Sequence, residues 1–179
     1  MIQLNRQTLD KKLLVFLFFL CYNYIERTRG EENRVVFSKN DIKFFEDAKF
    51  EALKSDYSPF HLGCVVVYKG HVISTGHNSN RTHPLQKYYN RYRNFKYGPK
   101  TIRHSLHAEI DALSHISYTT DIQIDYSKVK IYIYRISSGH PSRHGMARPC
   151  PGCLKALRDR GIKHIYYSTD SGFAYERLD

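Results

Sequence analysis

Two short motifs constrain this 179-residue chain more than any other feature of its sequence. The first reads H-x-E and begins at His107; the second reads P-C-x-x-C and contains Cys150 and Cys153. An imidazole and two thiolates are ligands that zinc prefers, and three protein ligands leave a fourth tetrahedral position open for water. Glu109 adds a carboxylate two residues from the first ligand. The motifs therefore predict a fold that joins two distant segments at a catalytic zinc site.

A structural zinc site is the alternative interpretation of these motifs. Such a site usually has four protein ligands, and the chain offers further histidines that could supply one: His77, His83, His104, His140 and His144. The carboxylate of Glu109 beside the first ligand argues against a purely structural ion. We therefore expect catalysis, with the fourth position left to water or hydroxide.

Composition and charge predict a globular domain with an anionic partner. Hydrophobic residues make up 41% of the chain and charged residues 25%, which is typical of a folded protein. The formal net charge is +11 and favours a polyanionic or phosphorylated partner. No acidic residue occurs from Tyr57 to Ala108 or from Tyr126 to Arg158, and these stretches border or contain the two motifs. We therefore expect the positive field to surround the site.

The remaining cysteines and the N-terminal segment indicate the cellular compartment in which we expect the protein. Cys21 and Cys64 lie in apolar surroundings and are predicted to be buried free thiols, which favours a reducing, cytoplasmic compartment. Leu13 to Cys21 is apolar but far shorter than the roughly 20 residues of a membrane span, so no membrane partner is expected. It has the outline of a secretory signal but lacks a cleavage site; a buried helix or a partner-binding segment are the alternatives. We predict an N-terminal extension over residues 1–34 and one domain over residues 35–179.

Hydrophobic periodicity predicts alternating helices and strands after residue 37. The predicted helices span residues 38–55, 106–115 and 153–160, and the predicted strands span residues 63–68, 71–75, 128–136, 162–168 and 173–176. This order favours an α/β fold, a mixed sheet with helices on both faces. The turn at residues 170–172 predicts that the last two strands are antiparallel. Residues 77–103 are predicted to be a long polar insertion, and residues 137–149 a loop.

The two motifs and this element order resemble the cytidine deaminase-like superfamily over roughly Ser38 to Glu176. The resemblance implies a three-layer α/β/α fold with one catalytic Zn²⁺ held by His107, Cys150 and Cys153. It implies that Glu109 is the proton shuttle of a hydrolytic deamination. Members of this superfamily often associate, so a homo-oligomer is expected.

The resemblance also implies substrate contacts and a reaction. Asn78 follows the second predicted strand, where the family often has an asparagine that contacts the sugar or base; a turn residue is the alternative. The backbone N–H of Ala108 would donate to the base carbonyl. The expected substrate is a cytosine nucleoside or nucleotide, deoxycytidylate-like, converted to the uracil form with release of ammonia.

A second function hypothesis comes from the predicted insertion. Residues 81–93 interleave aromatic side chains with four basic ones, Arg81, Lys87, Arg91 and Arg93. Such a pattern is typical of proteins that bind single-stranded nucleic acid, and it would make the chain an editing enzyme acting on cytosine or adenine in DNA or RNA. The same residues could instead bind one nucleotide phosphate or form a solvated face. A non-catalytic, zinc-stabilised binding module is a third hypothesis, which the presence of Glu109 disfavours.

Overall fold

The computed structural model of this protein describes residues 36–93, 104–137 and 140–179, apart from the side chains of residues 118–119 and 140–143. The helices are, in chain order, α1 (Lys39–Ala52), α2 (Pro84–Tyr89), α3 (Ala108–Ser114), α4 (Tyr118–Asp121) and α5 (Pro151–Asp159). The strands are β1 (His61–Tyr68), β2 (His71–His77), β3 (Ser79–Thr82), β4 (Ser105–Leu106), β5 (Lys130–Ser137), β6 (His140–Gly145), β7 (His164–Thr169) and β8 (Gly172–Arg177). Two 3₁₀ turns, Asn90–Tyr92 and Tyr126–Lys128, connect some of them.

A mixed sheet with strand order β2-β1-β5-β7-β8 forms the centre of the fold. A sixth strand, β6, also pairs with β5. Strands β1 and β2 form an antiparallel hairpin, β1 pairs antiparallel with β5, and β5 pairs parallel with β7. The last pair, β7 with β8, is antiparallel, because the chain reverses at the tight turn between Thr169 and Gly172. The predicted mixed sheet and antiparallel end are confirmed.

Helix α1 covers one face of the sheet. Ser38 begins it with a capping box, in which its hydroxyl accepts from the Asp41 N–H and the Asp41 carboxylate accepts from the Ser38 N–H. Its buried face includes Phe45, which packs edge-on against Tyr132 of β5. Burial of such aromatic side chains is the main stabilising contribution on this side.

Helices α3 and α5 cover the opposite face. Alternation along β5 separates the layers, since Ile131 and Ile133 pack in the core beneath these helices while Tyr132 and Tyr134 point toward α1. Ile110 of α3 and other apolar residues of both helices join that core, with Leu113, Leu154 and Leu157 fully or almost fully buried. The protein therefore has three layers, α/β/α, as predicted.

Two segments differ from the predicted loops. Part of the predicted polar insertion is ordered as β3, α2 and a 3₁₀ turn, with β3 pairing with β4. The predicted loop at residues 137–149 contains β6, which pairs with the end of β5 through the Arg135–Gly145 register. These elements are short and depend on tertiary partners, so local periodicity could not reveal them. The apolar segment Leu13 to Cys21 and the thiol of Cys21 lie outside the described residues.

The prediction of a buried free thiol at Cys64 is confirmed. Cys64 is fully buried, and the three described cysteines are free thiols. Among the residues that the structure describes, no helix is long and apolar enough to cross a membrane.

Candidate metal centre and substrate pocket

The predicted metal ligands converge at the start of two helices. His107 and Cys150 occupy the N-cap positions of α3 and α5, and neither side chain caps its helix. His107 Nδ1 lies 3.4 Å from the Sγ of Cys153 and 3.7 Å from the Sγ of Cys150, and all three atoms lie within 4.8 Å of one another. Tetrahedral zinc with ordinary bond lengths requires separations of about 3.5 to 3.8 Å between such atoms. This donor set therefore fits a zinc ion.

One of the two thiols, that of Cys150, is already ionised and suited to bind a cation. A hydrogen bond from Cys153, together with the contact with His107, lowers the pKa of Cys150 to about 3. The hydrogen bond to Cys150 and burial raise the pKa of Cys153. Cys150 is consequently a thiolate at neutral pH, the form that binds metal. The helix N-termini favour this negative charge, because their free backbone N–H groups carry partial positive charge.

Glu109 lies beside the ligands and is only 3% exposed. Burial raises the pKa of Glu109, and the nearby Cys150 thiolate adds to the effect, although the proximity of His107 opposes it. A carboxyl group with a raised pKa can both accept and return a proton, which is what general acid–base catalysis requires. The contact of Glu109 with Cys153 places this group directly at the metal ligands.

Close contacts with β2 fix the position of α3 on the sheet and therefore the position of Glu109. Gly76 of β2 faces this helix at close range, since a Cβ built there would lie 2.2 Å from the backbone nitrogen of Ala112. The carboxylate of Asp111 accepts a hydrogen bond from the His77 N–H at 2.9 Å. The helix that carries Glu109 is thus joined to the sheet without a side-chain layer between them.

A buried polar network, which the sequence did not predict, holds the first ligand. The side-chain oxygen of Gln86 accepts from the His107 N–H at 3.0 Å, and its amide donates to Asn90 at 2.9 Å. Asn90 in turn contacts His104 Nδ1 at 2.8 Å. Arg93 Nη1 lies 3.3 Å from His107 Nε2, so the imidazole presents Nδ1 to the cysteines. The i,i+4 spacing of Gln86 and Asn90 was the one signal available, and it is common in ordinary helices.

A cavity of about 430 Å³ opens onto this centre. Its lining combines apolar, polar and positively charged side chains: Tyr57, Phe60, Leu62, Asn78, Arg93, Ser105, Leu106, His107, Ala108, Glu109, Arg135, Met146, Ala147, Arg148 and Cys150. Such a volume suits a small ligand. The structure thus brings the predicted Asn78, Ala108 and Glu109 to the same cavity as two of the ligands, while Cys153 is fully buried.

Asn78 is more constrained than its predicted role implies. Its side-chain oxygen accepts hydrogen bonds from the Ser55 hydroxyl and the Leu62 N–H, both at 2.7 Å. Its amide nitrogen donates to the Phe60 carbonyl at 3.0 Å. One N–H of the amide remains for a ligand. Asn78 therefore organises the wall of the pocket in addition to lining it.

The four basic residues of the predicted insertion do not share one location. Arg81, Lys87 and Arg91 are exposed, and Arg91 stacks on the Tyr88 ring at 3.8 Å. Of the four, only Arg93 lines the pocket. Two further arginines of the pocket, at positions 135 and 148, were not singled out by the sequence.

Comparison with known proteins agrees with this site. A family model described as "Cytidine and deoxycytidylate deaminase zinc-binding region" matches residues 38–169. No characterised protein matches the sequence closely enough to count as a relative.

Several solved structures resemble the fold at low identity. The dCMP deaminase of the cyanophage S-TIM5 is 20% identical with a TM-score of 0.46, over 75% of this chain and 86% of that one. A cytidine deaminase from Burkholderia pseudomallei is 18% identical with a TM-score of 0.46, over 79% and 93% of the two chains. A cytidine deaminase from Mycobacterium leprae is 20% identical with a TM-score of 0.44, over 77% and 94%.

Proposed function

Because this chain belongs to the cytidine and deoxycytidylate deaminase family, we propose that it converts a cytosine nucleoside or nucleotide, deoxycytidylate in particular, to the uracil form with release of ammonia. The family makes it a zinc-dependent hydrolytic deaminase. The observation that carries the proposal is the convergence of three zinc-ligand atoms with the buried Glu109 at one small-molecule cavity.

The chain's own residues supply binding, orientation and proton transfer. His107, Cys150 and Cys153 would hold a zinc ion, which would lower the pKa of a bound water so that hydroxide is available near neutral pH. In our proposal Glu109 moves the two protons of the consumed water, the first to the ring nitrogen and the second to the departing amine. One water is consumed and one ammonia leaves, so the reaction balances.

Two backbone and side-chain donors of the pocket orient the base in this proposal. Ala108 is the first residue of α3, where backbone N–H groups have no partner within the helix, and it lines the cavity. Its N–H is suited to the carbonyl of a pyrimidine. The remaining amide N–H of Asn78 is suited to a sugar hydroxyl. Both roles rest on position in the pocket.

The test is a mass-spectrometric deamination assay on the full, zinc-loaded chain. Cytidine, deoxycytidine, their monophosphates and a mixed single-stranded DNA and RNA pool are compared as substrates. Glu109→Gln, which keeps the shape but removes the proton carrier, should bind zinc in equal amount and lose at least about 100-fold of the rate. Turnover by Glu109→Gln close to that of the wild type, or no turnover of any substrate by the wild type, would refute the proposal.

A nucleic-acid substrate is the second candidate, and one surface favours it. Tyr88 and Tyr92 are 44% and 38% exposed, and Arg91 and Lys155 lie over their rings. Aromatic rings beside cations are typical of surfaces that stack bases and contact phosphates. Binding of this kind weakens steeply with salt.

The second candidate has its own test. Oligonucleotide affinity of the triple variant Lys87→Ala, Arg91→Ala, Arg93→Ala is compared with that of the wild type over a salt series. Loss of affinity and a shallower salt slope would support nucleic-acid binding, and unchanged affinity would contradict it. The buried free thiol of Cys64 supports the further proposal of a reducing, cytoplasmic location.

A further inference from the structure

Arg135 lies on β5 where the strand reaches the metal centre. Alternation along the strand places Arg135 on the same side as Ile131 and Ile133, which pack beneath the helices of the metal ligands. Its side chain lines the cavity that opens onto Glu109. A cation is therefore part of the substrate pocket at a position that the reaction does not use.

The guanidinium of Arg135 has an unsatisfied donor. Its centre lies 4.7 Å from the ring of Phe60, and its Nε is buried with no hydrogen-bond partner among the described residues. Within the same part of the chain, no carboxylate lies within ion-pairing distance of it. Leaving a buried charged donor unpaired is costly, so an acceptor is expected to complete it.

The other pocket arginines already have protein contacts. Arg148 forms a two-pronged ion pair with Glu176, at 2.7 and 2.8 Å. Arg93 contacts His107 at 3.3 Å and Asn90 at 3.5 Å. Arg135 thus differs from both in having a buried N–H directed to no protein acceptor.

The backbone of Arg135 is held firmly, so its side chain is presented in one place. Arg135 pairs with Leu62 of β1 on one side and with Gly145 of β6 on the other. The buried hydroxyl of Ser168 accepts from the Arg135 N–H at 3.0 Å and donates to the Gly145 carbonyl at 2.8 Å. A fixed backbone limits the positions that the guanidinium can reach, which lowers the ordering cost of binding an anion.

Building on the proposed function, we infer that Arg135 binds the 5′-phosphate of a nucleoside monophosphate and makes this protein a nucleotide rather than a nucleoside deaminase. The N–H groups of a guanidinium match the oxygens of a phosphate, and a phosphate in the cavity would offset the positive charge of Arg135, which no described carboxylate pairs.

A terminal phosphate suits Arg135 better than the backbone of a polymer. Arg135 lines a cavity of about 430 Å³, which can enclose a ligand that ends there. Binding along a continuing strand needs exposed cations, and in this protein those are Lys87 and Arg91 on the outer surface.

The experiment measures product binding, which does not depend on turnover. Calorimetry on the zinc-loaded full chain compares dUMP with deoxyuridine for the wild type, Arg135→Gln and Arg135→Lys. The matched control is Arg158→Gln, an exposed cation of α5 whose Nε donates to the carbonyl oxygen of Asp179. The wild type and Arg158→Gln should bind dUMP about 10- to 100-fold more tightly than deoxyuridine. Arg135→Gln should bring the two affinities within about twofold while leaving that for deoxyuridine unchanged, and Arg135→Lys should fall between them.

Four other outcomes overturn the inference. A preference for dUMP that survives in Arg135→Gln removes Arg135 from phosphate binding, and equal weakening of both ligands in the two variants makes its role structural. A wild type that binds neither ligand, or that binds a short uracil-containing oligonucleotide but not dUMP, also overturns it. If dUMP binding depends on Arg135 while dCMP is never deaminated, the phosphate site stands and the proposed reaction fails.

Discussion

The contact between Gly76 and helix α3 allows a quantitative prediction, because it places a strand directly against the backbone of the helix that carries Glu109. In Gly76→Ala the added Cβ would lie 2.2 Å from the backbone nitrogen of Ala112, where ordinary contact begins at 3.4 Å. The difference is 1.2 Å (3.4 minus 2.2), and the three nearest atoms all belong to the backbone of α3, so none can rotate away. Helix α3 must therefore move from the sheet by about 1 Å and carry Glu109 with it.

The displacement of α3 should lower both the free energy of unfolding and the rate of deamination. Overpacking of this kind costs about 1 to 3 kcal/mol, less than the 5 to 15 kcal/mol that typically stabilises a domain, so the variant should fold. Its Tm should fall by about 3 to 9 °C. A displacement of about 1 Å at reacting groups costs about 100-fold in rate, so kcat should fall by that order.

The assay combines a thermal unfolding scan with deaminase kinetics on the zinc-loaded protein. The matched control for stability is Gly145→Ala, whose Cβ would have the side chain of Arg135 as its nearest neighbour, at 3.3 Å. It should change the Tm by less than about 2 °C. A Gly76→Ala variant with wild-type Tm and kcat within twofold of the wild type would show that α3 does not lie on β2 as described.

Two further predictions concern the buried polar groups. Burial opposes ionisation of Asp41, but hydrogen bonds from Ser38 and Tyr132 lower its pKa below 3.8, so its stabilising effect is present above that pH and is lost as the pH falls through the lower folded value. In urea unfolding between pH 2 and about 6, Asp41→Asn should flatten this acid-induced loss, and an unchanged pH dependence would contradict the assignment. Gln86→Leu should leave the His107 N–H without an acceptor and raise the dissociation constant for zinc by about 10- to 100-fold in chelator competition; unchanged affinity would mean that Gln86 does not position the ligand.

Elements with strong periodicity could be predicted from the sequence, and elements that depend on distant partners could not. The hairpin of β1 and β2 was predicted at residues 63–68 and 71–75, and it begins two residues earlier and ends two later in the structure. Strand β6 was predicted as loop because its residues lack apolar alternation, and pairing with β5 determines its conformation.

The candidate site likewise contains residues that could be predicted from the sequence and residues that could not. His107, Cys150 and Cys153 could be predicted as a set because their chemistry and spacing are specific. The support of His107 by Gln86 could not, since a buried glutamine is recognised only once its acceptor and donor partners are placed. Arg135 was likewise one of many basic residues until its burial was known.

The positions of the ligands also make zinc a cross-link of the chain. His107 and Cys150 are 43 residues apart in sequence, so a zinc ion bound to both residues closes a loop of that length. A covalent closure of that length removes chain entropy worth about 4 kcal/mol from the unfolded state. Because metal binding and folding are coupled in this way, zinc supply should govern how long the protein survives proteolysis as well as how fast it turns over. A cell short of zinc would then lose the protein itself, and restoring the metal would require new synthesis before activity returned.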